Sequence, residues 1–283
     1  LLGPLQVAPD GRRIDLGPPK QRAVLAALLL ADGGVVSVDR LIDAVWGDDV
    51  PGSATASVQA YISNLRKALR PAGGVASPIV RQAPGYYLAV PDGGSVDLVD
   101  FTAHCADARD AVGAGDWTGA QTAADAALAL SRGRLLEDLA DHDWVAAEAV
   151  RVDELRTECL ENRVTALLAQ GRVQGALADA VALRAREPLR DRACWLHMLA
   201  LYRAGRGAEA LEAYAGHAAH LDVELGLDPG SEVRELQTLI LRQSPELATW
   251  PRRPHGPVPP TSPRPWPRSR STAPPPSARR PAC

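Results

Sequence analysis

A repeat of 34 residues constrains the fold of this chain more than any other feature. LAQGR at 168–172 precedes ALADA at 176–180, and YRAGR at 202–206 precedes ALEAY at 210–214. Glycine at the turn and a small residue at the helix crossing, with this period, indicate a helix–turn–helix solenoid of tetratricopeptide type. Chance similarity in an Ala-rich chain is the alternative.

A weaker copy of the repeat lies earlier in the chain. GAGDW at 113–117 leads to Ala120, and its Gly115 precedes Gly171 by 56 residues. We therefore expect an insertion of about one helix within the array. Gly-rich breaks separate almost purely helical patterns from 97 to about 242, which predicts an all-α region.

The first 90 residues have a mixed pattern. Short strand-like runs occupy 1–7 and 12–16, and two further runs at 79–82 and 86–90 flank Ala83-Pro84-Gly85, which predicts a terminal β-hairpin. Between the two pairs of runs, helical periodicity covers three segments, 20–31, 38–46 and 54–70. The order is strands, three helices and a hairpin.

Charge divides the chain into three regions. The net charge of −3 combines +1 over 1–92, −11 over 93–249 and +7 over 250–283. The last region holds 12 of the 24 prolines, so it cannot supply helix donors or bury a core. We predict a disordered Pro/Arg-rich tail that acts as a linker, with contact to nucleic acid as the alternative.

Several protein classes find no support in the sequence. It contains no run of 18 apolar residues and no signal-peptide pattern, so we expect a cytoplasmic protein that makes no membrane contact. The four cysteines are scattered, and His217 with His220 is too sparse a set to indicate a metal site. G-x-x-x-x-G-K-[ST] and G-x-S-x-G motifs are absent, so we expect no cofactor and no enzymatic activity.

The third helical segment, 54–70, has the composition of a DNA-reading helix. Its apolar stripe consists of Val58, Ile62, Leu65 and Leu69, and no acidic residue occurs anywhere on it. Small, amide and hydroxyl side chains on the other side can approach base edges, while Arg and Lys can hold phosphates. An ordinary solvated helix face is the alternative interpretation.

The surrounding elements favour the DNA-binding interpretation. A short helix precedes this segment and a hairpin follows it, which is the order of a winged helix-turn-helix with 54–70 as its recognition helix. In the hairpin, Arg81 and Gln82 could enter a minor groove. The sequence therefore predicts an α+β winged helix-turn-helix over 1–92, an all-α tetratricopeptide-like domain over 97–243 and the disordered tail over 250–283.

Several separate motifs resemble one family over residues 1–243. LGPL at 2–5, LGPPKQR at 16–22, VDRLIDAVWG at 38–47 and YISNLRKAL at 61–69 are similar to the OmpR/PhoB-type winged helix of the Streptomyces antibiotic regulatory proteins. The following region resembles their bacterial transcriptional activator domain at Arg132-Gly133, LAD 139–141, Trp144, ELR 154–156, PLR 188–190, ALYRAGR 200–206 and LGLDP 225–229.

The resemblance implies roles for individual residues. Base-facing positions of the family fall on Gln59, Ala60, Ser63 and Asn64. Phosphate-facing positions fall on Thr55, Ser57, Arg66 and Lys67. The charge pattern adds Arg70, and the hairpin adds Arg81 and Gln82 as candidates for the minor groove. Many members have Arg where Asn64 or Gln82 stands, and here the hairpin Arg is displaced by one position. This departure predicts a distinct operator preference.

The resemblance also implies a function. It predicts a sequence-specific transcriptional activator of secondary-metabolite genes that binds direct repeats near the −35 region, with double-stranded DNA, RNA polymerase holoenzyme and a second copy of the chain as partners. Four cations near the DNA (Arg66, Lys67, Arg70 and Arg81), or six if Arg22 and Arg40 also contribute, predict a slope of log K against log salt of roughly −3 to −5 per monomer. Two alternatives are a tetratricopeptide-like protein-interaction scaffold and the N-terminal piece of a larger regulator with a nucleotide-binding switch domain.

Overall fold

A computed structural model describes residues 1–8, 11–70 and 77–250 of the chain. Apart from Trp250, the predicted Pro/Arg-rich tail lies outside these residues. The described part begins with a small unit of helices and antiparallel sheet, and an all-helical array follows. The predicted fold class is therefore confirmed for these two parts.

In the described residues of the N-terminal unit, three helices and three short strands form. The helices are α1 (Pro19–Leu30), α2 (Val38–Trp46) and α3 (Ala54–Ala68), and the strands are β1 (Val36–Ser37), β2 (Ile79–Gln82) and β3 (Gly85–Leu88). The sheet has the order β1-β3-β2 and is antiparallel throughout. In the hairpin, Arg81 lies opposite Tyr86 and Gln82 lies opposite Gly85.

The two strands predicted at 1–7 and 12–16 are wrong. No regular strand forms in the described residues of either run, although the Ile14 amide donates to the Val7 carbonyl at 3.1 Å. Leu1, Leu2 and Leu5 are buried instead against a distant, irregular part of the chain. The apolar pattern was therefore a sign of burial, which strands and irregular segments share.

Seven helices continue the described chain. They are α4 (Asp97–Ala114), α5 (Trp117–Leu130), α6 (Asp143–Ala169), α7 (Val173–Arg186), α8 (Asp191–Arg203), α9 (Gly207–Leu225) and α10 (Ser231–Leu241). Consecutive helices from α4 to α9 pack against one another, as expected for an array of helical hairpins. No helix in the described part of the chain has both the length and the apolarity needed to cross a bilayer.

The three predicted repeat copies have the same turn. Gly115, Gly171 and Gly205 adopt φ of 73°, 73° and 78°, which ends each preceding helix. After each glycine, the next amide donates at 2.9 Å to the carbonyl five residues earlier. Each following helix then buries one alanine completely, and these alanines are Ala120, Ala176 and Ala210. The repeat is therefore structural and not a chance similarity.

The expected insertion of about one helix takes a different form. Residues 131–142 are irregular except for a 3-10 turn at Glu137–Leu139, and α6 is lengthened to 27 residues. The segment 131–142 fastens the start of the chain, because the Arg132 amide donates to the Leu2 carbonyl at 2.8 Å and the Leu5 amide donates to Asp138 at 2.7 Å. Residues 131–142 thus form a junction between the start of the chain and the helical array, and we call this segment the junction.

Hydrophobic packing joins the N-terminal unit to the first helices of the array. One core contains buried side chains from both 1–88 and 98–159, whereas a second core extends from 164 to 247. The indole Nε1 of Trp144 also donates to the Ala44 carbonyl at 2.9 Å. The domain limits 1–92 and 97–243 therefore stay predictions from the sequence. In the structure, the first core ends at 159 and the second begins at 164, so the boundary between the two cores lies within α6.

Candidate nucleic-acid interface

Helix α3 has one buried and one exposed face. Val58, Ile62 and Leu65 are at most 1% exposed, and Leu69 packs against the same core from just beyond the helix. This stripe holds α3 against the rest of the N-terminal unit. The opposite face is consequently free of packing, and it carries no carboxylate.

Most of the predicted contact residues are exposed, either on this opposite face or beside it. Thr55, Gln59, Ala60, Ser63, Asn64 and Lys67 are exposed, as is Arg70 just beyond the helix, whereas Ser57 and Arg66 are half-buried. Thr55 is more open than its position near the apolar stripe suggested. Short polar tips with cations at one end can meet bases and phosphates in the same groove.

Asn64 has a partner that positions it. Its Nδ2 donates to Oε1 of Gln21 at 3.2 Å, and Gln21, which is 5% exposed, donates from Nε2 to the Leu16 carbonyl at 2.9 Å. A base contact by Asn64 would therefore start from an oriented side chain. No local sequence pattern indicates this role of Gln21, since 43 residues separate it from Asn64.

Arg66 connects the helix to the hairpin. Its Nε donates to the Ile79 carbonyl of β2 at 3.0 Å, and its guanidinium lies 5.7 Å from the ring centroid of Tyr86. Arg81 lies 5.8 Å from the same ring. The structure thus brings these two predicted DNA contacts together around Tyr86, a buried residue that the sequence interpretation did not single out.

The hairpin presents its tip to solvent. Arg81 and Gln82 are exposed, as are the two loop residues 83 and 84. Gly85 is required next to the loop, because a Cβ there would overlap the Val36 carbonyl of β1. Arg81 and Gln82 are therefore held outward by a small sheet in which β1 is only two residues long.

One of the cations expected near the DNA has a different role in the structure. Arg22 forms an ion pair with Asp138 and donates to the Leu5 carbonyl at 3.4 Å, so it fastens the junction. Arg40 is exposed on α2. Lys67, Arg70 and Arg81 remain as exposed cations near the face, with Arg66 partly occupied. Counting three to five contacts gives a salt slope of roughly −3 to −4.5.

The chain matches two family models. The model described as "Bacterial transcriptional activator domain" matches residues 96–241, and the one described as "Transcriptional regulatory protein, C terminal" matches residues 11–88. The second match includes all of α3 and the hairpin.

Named regulators are similar over most of the chain. Regulatory protein AfsR of Streptomyces coelicolor is 40% identical over 88% of this chain and 24% of its own length. Transcriptional regulatory protein EmbR of Mycobacterium tuberculosis is 38% identical over 87% and 63%, and regulatory protein DnrI of Streptomyces peucetius is 33% identical over 87% and 93%. The chain thus spans a quarter of AfsR and less than two thirds of EmbR.

A solved structure has the same fold. The structure of Mycobacterium tuberculosis EmbR in complex with a low-affinity phosphopeptide superposes with a TM-score of 0.82 at 36% identity. The match covers 88% of this chain and 67% of the EmbR chain.

Proposed function

Because the chain belongs to the Streptomyces antibiotic regulatory protein family, we propose that it is a sequence-specific DNA-binding activator of transcription. Its targets would be promoters of secondary-metabolite genes, and it would act in the bacterial cytoplasm. The observation that carries the proposal is the exposed, acid-free face of α3 beside an exposed hairpin tip.

The side chains on this face divide into two roles. Gln59, Ala60, Ser63 and Asn64 would face base edges, where an amide can pair with adenine and a methyl group can contact thymine. The remaining predicted residues would hold the DNA backbone or, from the hairpin, reach the minor groove. They are Thr55, Ser57, Arg66, Lys67, Arg70, Arg81 and Gln82.

A single copy has few phosphate contacts. Three to five neutralised phosphates give a modest electrostatic contribution at physiological salt, and the helical region of −11 opposes approach to the duplex unless it faces away. We therefore propose that a second copy on an adjacent direct repeat, together with RNA polymerase, supplies the remaining affinity.

Footprinting tests the paired arrangement. Protection of two direct repeats should require at least tenfold less protein than protection of either repeat alone. Equal protection of single and paired sites would contradict the proposed cooperation.

A pair of variants separates DNA binding from a scaffold role. Lys67→Ala should weaken retention of promoter DNA about fivefold or more at physiological salt, while Gln174→Ala, an exposed change on α7, should leave it unaltered. If the array acts mainly as a protein-binding scaffold, polymerase capture would persist in Lys67→Ala and the promoter response in cells would persist too. Loss of that response with intact polymerase capture supports the activator proposal.

A further inference from the structure

An arginine-rich cavity lies at the junction, apart from the face of α3. It has a volume of about 530 Å³ and forms where residues 131–134 meet α6 and α7. Its lining carries four guanidinium groups and one carboxylate, which are Arg132, Arg134, Arg156, Arg186 and Asp153. This local excess of positive charge stands within a helical region whose net charge is −11.

Arg156 belongs to the lining and is nearly buried. Its side chain is 10% exposed, and it donates from Nε to Ser131 Oγ at 3.0 Å, from Nη1 to Asp153 at 2.6 Å and from Nη2 to the Gly133 carbonyl at 3.1 Å. Burial lowers the pKa of Arg156, and the charge of Arg186 acts in the same direction against the opposing effect of Asp153. An added anion would relieve this unfavourable environment.

The single carboxylate of the lining is shared. Asp153 Oδ1 accepts from both Arg156 and Arg186, the latter at 3.1 Å. A guanidinium has five N–H donors, so several donors of these two residues stay unused. Arg134 is exposed and makes no hydrogen bond to another described residue. Two carboxylates beside the cavity also pair with its arginines, since Arg132 donates to Asp97 at 2.8 Å and Glu187 lies 3.6 Å from Nε of Arg186. The cavity therefore keeps one positive charge in excess, together with unused donors on Arg134, Arg156 and Arg186.

We propose that this cavity is a binding site for a phosphorylated small molecule. Planar guanidinium forks match phosphate oxygens in pairs, which makes arginine the usual residue for such groups. The unused arginine donors would bind the phosphate oxygens, and the phosphate would offset the one positive charge that Asp97, Asp153 and Glu187 leave.

The cavity is connected to the DNA-binding unit through Arg132. Arg132 lines the cavity, donates from Nη2 to Asp97 at 2.8 Å and holds Leu2 through its backbone amide. The segment that would bind phosphate is thus the segment that fastens the start of the chain to the array. A bound phosphate would stiffen this connection, which assigns the site an effector role.

Titration calorimetry of the whole chain tests the site, with inorganic phosphate and pyrophosphate as probes at constant ionic strength. We expect saturable binding with one site per chain. Arg134→Gln breaks no hydrogen bond within the described residues, and combined with Arg186→Gln it should weaken pyrophosphate binding at least tenfold. Arg234→Gln, an exposed change on α10, is the matched control and should bind as the wild type does.

Three outcomes would overturn the proposal. They are the absence of saturable binding, equal affinity of the double variant and the wild type, and tighter binding of a phosphoserine peptide than of pyrophosphate. The last would assign the cavity to a phosphorylated protein. Circular dichroism spectra of the variants should match the wild type, and if the double variant unfolds, Arg134→Gln alone decides, with at least a threefold loss expected.

Discussion

Replacing Arg66 with alanine should destabilise the fold as well as weaken DNA binding. The change removes a charged donor from the Ile79 carbonyl at 3.0 Å and a cation from the Tyr86 ring. Such a hydrogen bond contributes about 1.5–3 kcal/mol and a cation–π contact about 0.5–1 kcal/mol. Because Arg66 is half-buried, we take the lower end and expect a loss of about 2 kcal/mol in the free energy of unfolding.

The loss is measurable by thermal unfolding. For a chain of this size, 1 kcal/mol corresponds to roughly 2–4 °C in Tm, so Arg66→Ala should unfold roughly 4–8 °C below the wild type. Lys67→Ala on the same helix is the control, since Lys67 is exposed and has no partner among the described residues. Its Tm should stay within about 2 °C of the wild type, because surface changes rarely exceed about 0.5 kcal/mol.

Salt titration of DNA binding separates the two residues a second time. Lys67→Ala should reduce the slope of log K against log salt by about 0.9, the value for one lost phosphate contact. Arg66→Lys keeps the charge but lacks the planar Nε donor, so its slope should stay near that of the wild type while its Tm falls. An unchanged Tm in Arg66→Ala, with a full 0.9 loss of slope, would refute the assignment of Arg66 as a connection between helix and hairpin.

Three further predictions follow from single contacts. Gly85→Ala should lower the free energy of unfolding by about 1–3 kcal/mol through overpacking, because the added Cβ overlaps the Val36 carbonyl of β1. Gly52→Ala, with open space around it, should leave the midpoint of the same denaturant titration unchanged. Asp138→Ala should lower stability by about 1–3 kcal/mol, since it leaves the Leu5 amide without an acceptor and Arg22 without its carboxylate; an unaltered midpoint would argue against the junction. A hydrogen bond from Arg109 lowers the pKa of Glu158, so this pair stabilises the fold above the ordinary glutamate pKa and loses its effect as pH falls through the lowered value. Glu158→Gln should therefore be less stable than the wild type at pH 7, with the difference vanishing as the pH falls through the lowered pKa of Glu158; a difference independent of pH would contradict this.

Local patterns were sufficient for much of the DNA-binding unit. The helix predicted over 38–46 and the strand over 79–82 have those bounds in the structure, and the predicted helix over 54–70 ends two residues early, at Ala68. Periodicity, turn residues and the absence of acids on α3 are all encoded within a few residues of one another. The exposed face of α3 follows from that pattern alone.

Long-range contacts account for what the sequence did not reveal. The strands expected at 1–7 and 12–16 fail because Leu1, Leu2 and Leu5 find their partners beyond residue 130. Arg22 was counted as a DNA contact, yet it pairs with Asp138, which lies 116 positions later. No local periodicity encodes either partner, so both depend on packing between distant segments.

Selection of genomic fragments by the purified chain, followed by sequencing, tests most directly whether the outer face of α3 reads bases. We predict that the wild type enriches one short motif in direct repetition upstream of promoters. Gln59→Ala should keep the repeat spacing but lose preference at one base position in each copy, by about tenfold or more for a bidentate contact. Retention of fragments without any common motif, or an identical motif from Gln59→Ala and from every other variant of this face, would contradict the account.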